Sequence, residues 1–297
     1  MKSRLFLFLL PAVLVCTSVL ADTSYQPFVL ASVNDTGLQE QTEKTIDALI
    51  YSGFTVAGQY SPLENANVIV VTSPELLEIA ASSDRGGYGA GERVSVTKRD
   101  GKTEVAFINP LYLQYAYRME SDMQGIYDQL SEALGNIETF GAEKKMTAKK
   151  LGNYHYMISM QRFDDPSELG SFDSYDAAVD AVESGLAAEG DALTMVYRID
   201  IPGKDQTVFG VGMKDDAEPD IDEAHQLSIV DFEGYSKVAY FPYEILVNGT
   251  EVEALHMRFR MAVHFPDLSM AGKHGFTKLM SAPGATENAF EAVVVTE

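Results

Sequence analysis

The sequence lacks tryptophan, contains a single cysteine and has few positive charges. Its 297 residues include 22 Lys and Arg against 44 Asp and Glu, which gives a formal net charge of −22. One cysteine excludes a disulfide framework within the chain and a thiolate zinc site. The shortage of bases argues against a nucleic-acid partner, because phosphate binding needs clustered Lys and Arg. The same charge balance disfavours docking on anionic lipid.

The hydrophobic content is that of a folded protein. Residues with apolar side chains make up 46% of the chain, and its length suits one large domain or two small ones. No Gly-x-Ser-x-Gly, His-Glu-x-x-His or comparable catalytic signature occurs in the sequence. The sequence alone therefore does not decide whether the protein is an enzyme. The lack of a catalytic signature favours a protein without catalytic activity.

Residues 1–21 have the layout of a secretory signal peptide. Two bases, Lys2 and Arg4, precede an apolar run that is too short to span a bilayer, and Ala21 ends a segment suited to cleavage. Cys16 would be removed with this segment, and the Val15 before it does not suit lipidation. The sequence thus predicts an exported protein, periplasmic or secreted, of a Gram-negative bacterium, without stable membrane insertion of the mature chain. Cleavage would leave 20 bases and 44 acids, a net charge of −24.

The first half shows a regular order of predicted elements. Strand-like segments at 25–33, 54–60 and 68–72 alternate with an amphipathic helix over 38–52 and a short helix that begins at Ser73-Pro74. Two more strands, 93–98 and 104–108, flank an Asp100-Gly101 hairpin turn. A helix over 123–134 follows, and the polar segment 136–153 is predicted to connect two halves.

The second half repeats this order in outline. The strand-like segments are 154–163, 193–201, 207–213, 235–240, 244–247, 252–265 and 290–296, with helices at 175–188 and 273–280. The match in order indicates an internal duplication. An acidic insert at 214–226 accounts for the greater length of the second copy.

The first half resembles the DUF302 family. The resemblance rests on Gly53-Phe54, the segment VIVVTSPELLEIA (68–80), Arg93-Val94, the Asp-Gly hairpin and the ending Asn109-Pro110-x-Tyr112-Leu113. It implies an α+β unit with a curved, mostly antiparallel sheet and helices packed on one face. That family has no established activity, so the resemblance supplies no catalytic residues. We therefore expect a signal peptide (1–21), a first unit (22–135), a linker (136–153) and a second, diverged unit (154–297).

The few clustered cations provide the candidate ligand site. Arg85 and Arg93 flank a glycine-rich loop that matches neither a dinucleotide fingerprint nor a P-loop. If 252–265 is one strand, His256, Arg258, Arg260 and His264 share a face. One interpretation is a solvated face whose arginines pair with acids on neighbouring strands. The other is a site for a small, anionic ligand.

Methionine and histidine raise a second hypothesis, a periplasmic protein that handles copper. Thioether and imidazole ligands suit copper, and the candidates are His155, Met157, His256 and His264. No Met-x-x-Met or His-x-His cluster supports them, and methionine on an apolar face is usually core filler. The sequence predicts no cofactor. The favoured function is non-enzymatic binding of a small molecule or a protein partner, with a homodimer left open.

Overall fold

The computed structural model describes residues 23–295. The predicted signal peptide and Cys16 lie outside the described residues. No helix within 23–295 is long and apolar enough to cross a bilayer.

The first unit is built on a six-stranded antiparallel sheet. Its elements are β1 (Ser24–Tyr25), β2 (Phe28–Asn34), α1 (Leu38–Tyr51), β3 (Thr55–Leu63), β4 (Ala66–Thr72), α2 (Pro74–Ser82), β5 (Glu92–Arg99), β6 (Lys102–Ile108), α3 (Pro110–Ala116), α4 (Gln124–Leu134), β7 (Glu138–Phe140), β8 (Met146–Thr147) and α5 (Ala148–Leu151). The sheet order is β3-β4-β5-β6-β2-β7, and β1 pairs separately with β8. The segment predicted as a linker thus contains β7, which extends the first sheet.

Local sequence signals explain these elements. The Ser73 hydroxyl accepts a hydrogen bond from the Leu76 N–H and caps α2, with Pro74 in its first turn. The Asp100 and Gly101 residues both have positive φ, as a two-residue hairpin turn requires. The Asn109 side chain accepts a hydrogen bond from the Leu111 N–H and caps α3.

The second unit is built on a five-stranded antiparallel sheet. Its elements are β9 (Ser167–Ser171), α6 (Tyr175–Glu189), β10 (Leu193–Asp200), β11 (Gln206–Met213), α7 (Glu223–Val230), β12 (Tyr243–Asn248), β13 (Glu251–Ala254), α8 (Met257–His264) and α9 (Ala282–Val294). The sheet order is β10-β11-β12-β13-β9. This is the order of β3-β4-β5-β6-β2 in the first unit, and the intervening helices correspond as well. The predicted α+β architecture of two similar units is therefore confirmed.

Several predictions for the second half are wrong. Segment 154–163 forms turns, 235–240 contains a 3₁₀ turn at Val238–Tyr240, and 273–280 contains only the 3₁₀ turn Phe276–Leu279. The apolar run at 290–296 belongs to helix α9, where Phe290, Val293 and Val294 are buried at helical spacing. The acidic insert overlaps α7, which begins after its N-cap Asp222 and occupies the place of α2.

The most consequential error concerns residues 252–265. The strand β13 ends at Ala254, and helix α8 begins at Met257, with the His256 ring as its cap. Alternating apolar residues favour a strand, but a short helix buried on several sides gives a similar pattern. His256, Arg258, Arg260 and His264 consequently do not share one face.

The two sheets pack against each other. In the first sheet, alternate residues such as Val71 of β4 face the helices and pack with Leu49 of α1 and Ile126 of α4. The side chains on the opposite face of this sheet pack into the core of the second unit. This shared cluster includes Val68, Val70, Ala106, Val208 and Leu246. Close approach between the units requires Gly58, because a Cβ there would lie 2.2 Å from the Val196 carbonyl oxygen.

Candidate functional site

Four of the six candidate ligand-binding residues lie on helix α8 or at its N-cap, and the helix separates them into two environments. The His256 Nδ1 accepts a hydrogen bond from the Arg258 N–H (3.1 Å). At the start of α3, the Asn109 side chain accepts the equivalent hydrogen bond from the Leu111 N–H. Arg260 and His264, four residues apart, are 1% and 0% exposed and face the interior. Arg258 is partly exposed on another face of the helix.

The interior group is a buried ionic cluster between the units. Glu244 of β12 accepts a hydrogen bond from Arg93 of β5 at one carboxylate oxygen and from the Arg260 Nε at the other (3.2 Å). The Arg260 Nη2 also donates to the carbonyl oxygens of Tyr240 (2.7 Å) and Pro242 (2.5 Å). The guanidinium carbon of Arg260 lies 4.4 and 4.3 Å from the ring centroids of Tyr240 and Tyr243. Arg93, Glu244 and Arg260 thus form a triad that joins the two units.

The ionisable neighbours of this triad are held neutral. Burial, reinforced by the positive charges of Arg260 and Arg93, lowers the pKa of His264 well below its ordinary value. The neutral ring donates from Nδ1 to the Arg260 carbonyl oxygen (2.8 Å), which can only accept. Burial raises the pKa of Tyr117 to about 12. The triad, with two guanidinium cations and one carboxylate, therefore carries a net positive charge in the interior.

Arg85 belongs to a separate contact. Its Nε donates to the Glu253 carboxylate (2.8 Å), which the Tyr88 hydroxyl also approaches (3.4 Å). The glycine-rich loop at 85–91 contains a 3₁₀ turn, Gly86–Gly89, against Gln206 of β11. The structure therefore brings Arg93, Arg260 and His264 together, while Arg85, His256 and Arg258 lie apart from them. Ligand binding by these six residues stays a prediction.

A pocket on the outer side of α8 has a different character. Its cavity volume is only about 20 Å³, and the free space reaches about 300 Å³ when the open solvent at its mouth is counted. Its walls are apolar apart from Arg258 and the Tyr156 hydroxyl, and the lining residues are Tyr156, Met160, Arg258, Met261, Ala262, Phe265, Leu268, Met270 and Phe276. Four of them, Arg258, Met261, Ala262 and Phe265, follow the i, i+3, i+4, i+7 spacing of one helix face.

Arg258 is the charged group of this pocket. Within residues 23–295 its guanidinium has no carboxylate within the 4.0 Å of an ion pair. The nearby His256 has its pKa lowered, mainly by burial, which the charge of Glu287 opposes and the charge of Arg258 reinforces. The pocket thus combines an apolar cavity with an available cation. Sequence analysis singles out Arg258 but none of the apolar wall residues, because it predicts a strand where α8 lies.

The candidate copper ligands lie in different environments. Met157 is 51% exposed on the segment before β9, whereas His264 is fully buried. The His155 Nδ1 lies 3.1 Å from the Asn153 carbonyl oxygen. The described part of the chain holds no group of three or more His, Cys, Asp or Glu side chains placed to bind a metal ion. Copper binding with methionine ligands stays a prediction.

The comparisons with known proteins are sparse. No family profile and no curated protein matches this sequence. One solved structure is similar over 36% of this chain and 94% of its own: the crystal structure of the uncharacterized conserved protein DUF302 from Bacillus stearothermophilus, with 18% identity and a TM-score of 0.33. A similarity at this level carries no argument about activity, ligands or partners.

Proposed function

We propose that this protein is exported and binds, without catalysis, a small amphiphile that has an apolar body and an anionic head. The observation that carries this proposal is Arg258 at an apolar pocket, without a carboxylate partner among residues 23–295. A guanidinium with free donors is suited to a carboxylate or similar anion, because it can donate two parallel hydrogen bonds. The sequence of residues 1–21 supports export.

The pocket walls suit the apolar part of such a ligand. Small-molecule sites are typically apolar concavities with a few polar groups that orient the ligand. The cavity of about 20 Å³ must widen to admit the apolar body of a ligand such as decanoate. Met160, Met261 and Met270 line it, and their flexible thioether side chains can rotate to make room. The Tyr156 hydroxyl, which donates to the Leu268 carbonyl oxygen (3.4 Å), ties together two segments of the wall.

We expect decanoate to bind more tightly than 1-decanol, because only the carboxylate can use Arg258. Replacement Arg258→Gln should weaken decanoate binding by about tenfold or more, since a hydrogen bond to a charged group is worth about 1.5–3 kcal/mol. Binding of decanol should change little. Isothermal titration calorimetry with both probes measures the difference.

Two further variants separate the head-group contact from the cavity. Ala262→Leu adds volume inside the pocket and should weaken both probes. Arg198→Gln is the matched control, because Arg198 is partly exposed but already pairs with Glu183 and Asp200. The proposal is wrong if decanoate does not bind saturably, or if it binds equally well to the Arg258→Gln variant.

A further inference from the structure

The segment 144–162 differs in charge from the rest of the chain. Its 19 residues contain four lysines and one arginine but no Asp or Glu, in a protein with 44 acids among 297 residues. The cations are Lys144, Lys145, Lys149, Lys150 and Arg162. Glu143 and Asp164 border the segment, and Asp164 pairs with Arg118 (2.9 Å). The segment is thus a local basic region on an acidic protein.

The four lysines are available to an external partner. All four side chains are exposed, and none has a carboxylate within 4.0 Å in the described part of the chain. Lys44 and Lys102, by contrast, pair with Glu40 and Asp35, each at 2.7 Å. Lys149 and Lys150 lie on α5, and Lys144 and Lys145 come just before β8.

Two apolar side chains protrude from the same segment. Ile158 is 89% exposed and Met157 is 51% exposed. The adjacent Tyr156 and Met160 point the other way and line the pocket beside α8. Ser159, with a φ of +72°, forms the turn between them.

The protruding turn is anchored on both sides. The Tyr154 hydroxyl donates to the Ala262 carbonyl oxygen of α8 (2.9 Å). Arg118 donates to the Gly152 carbonyl oxygen (3.1 Å) and to Asp164 (2.9 Å). The fold therefore anchors the segment that exposes Met157 and Ile158, and these two residues follow Lys150 by seven and eight positions along the chain.

We infer that this surface docks the protein on an anionic lipid bilayer, with the lysines at the head groups and Met157 and Ile158 inserted shallowly. Lysines near an anionic membrane each strengthen binding about fivefold. A soluble acidic polymer could pair with the lysines, but it offers no apolar environment for the two apolar side chains. These side chains therefore favour a bilayer as the partner.

The net charge of the whole chain does not prevent this contact. At physiological ionic strength the Debye length is about 8 Å, so acids farther than that from the membrane are largely screened. The lysines at the contact then determine the local interaction. This inference does not depend on ligand binding by the pocket, although it would place the pocket, through the shared segment 154–160, next to the lipid surface.

Vesicle sedimentation with the predicted mature chain, residues 22–297, tests this surface. Binding is expected to vesicles that contain phosphatidylglycerol, to be absent with phosphatidylcholine alone, and to fall as salt increases. Lys144→Gln, Lys145→Gln, Lys149→Gln and Lys150→Gln in one variant should reduce binding at least a hundredfold. Lys44→Gln with Lys102→Gln is the control and should bind as the unaltered protein does.

Replacement Ile158→Asp distinguishes a bilayer from a soluble polyanion. It should weaken binding to the anionic vesicles at least tenfold and change binding to dextran sulfate much less. The inference is overturned if anionic vesicles do not bind, if the four-lysine variant binds them unchanged, or if Ile158→Asp leaves vesicle binding unaltered. Because the changed side chains are exposed, the circular dichroism spectra of all variants should match that of the unaltered protein.

Discussion

Replacement of Glu244 by glutamine is expected to lower the free energy of unfolding by about 3–5 kcal/mol. The Glu244 carboxylate is the anion shared by Arg93 and Arg260, and all three side chains are about 1% exposed. The neutral amide would leave two buried guanidinium groups without a counter-charge. Removal of one partner from a buried ion pair is costly because the remaining charge cannot regain its hydration. Urea denaturation followed by circular dichroism measures the loss.

Two comparisons make the Glu244 result specific to the buried charge. Glu40→Gln removes an exposed ion pair with Lys44 and should cost less than about 1 kcal/mol. Combined replacement of Arg93, Glu244 and Arg260 by methionine removes all three charges and should recover part of the stability lost in Glu244→Gln. A Glu244→Gln variant as stable as the unaltered protein would show that the triad does not hold the units together electrostatically.

The first unit could be predicted from local sequence because its signals are strong and mutually consistent. Ser73-Pro74 marks the start of a helix, and Asp100-Gly101 marks a hairpin, and both features occur where the sequence predicts them. The continuous apolar run of β4, Val68–Val71, also matches a strand that is covered on both faces. Each of these features depends on neighbours within a few residues.

The α8 region could not be predicted because two periodicities fit the same short segment. With a period of two, Arg258 and Arg260 share a face; with a helical period, Arg260 joins His264, and Arg258 joins Met261 and Phe265. The helix is eight residues long and almost entirely buried, so no polar face marks its period. The signal that was missed is His256, which occupies the capping position that Asn109 occupies in the first unit.

Contacts between the two units could not be predicted from short segments of the sequence. Arg93 and Glu244 are 151 positions apart, and nothing near either residue identifies the other as its partner. The sequence did indicate that the few arginines are informative in an acidic chain. Their division between a buried triad and an open pocket depends on how the two sheets pack, which alternation along single strands does not specify.

Replacement Glu92→Gln is expected to make the protein progressively more stable than the unaltered chain as the pH rises from 5 to 8. Glu92 is 1% exposed, and burial raises its pKa to about 8, only partly opposed by the charge of Arg93. In the unfolded chain the same carboxyl has its ordinary pKa of 4.5. Between these values the folded protein retains a proton that the unfolded chain releases, so increasing pH favours unfolding.

The Glu92→Gln variant has no ionisable carboxyl group at this position. Its stability relative to the unaltered protein should therefore increase by several kcal/mol between pH 5 and pH 8, with an upper limit of about 5 kcal/mol at 1.36 kcal/mol per pKa unit. His264 and His256 have lowered pKa values and titrate in the opposite sense, so they make stability rise toward neutral pH. Because both histidines are present in both proteins, their contributions cancel in the difference.

Urea denaturation at pH 5, 6, 7 and 8 measures this difference, with Glu78→Gln on the exposed side of α2 as the matched control. The difference between the control variant and the unaltered protein should stay constant with pH. A constant difference for Glu92→Gln as well would mean that Glu92 is ionised throughout this range and that its charge is compensated in the folded state. A growing difference would place a neutral carboxylic acid next to Arg93, and Glu244 would then be the anion on which the buried arginines depend.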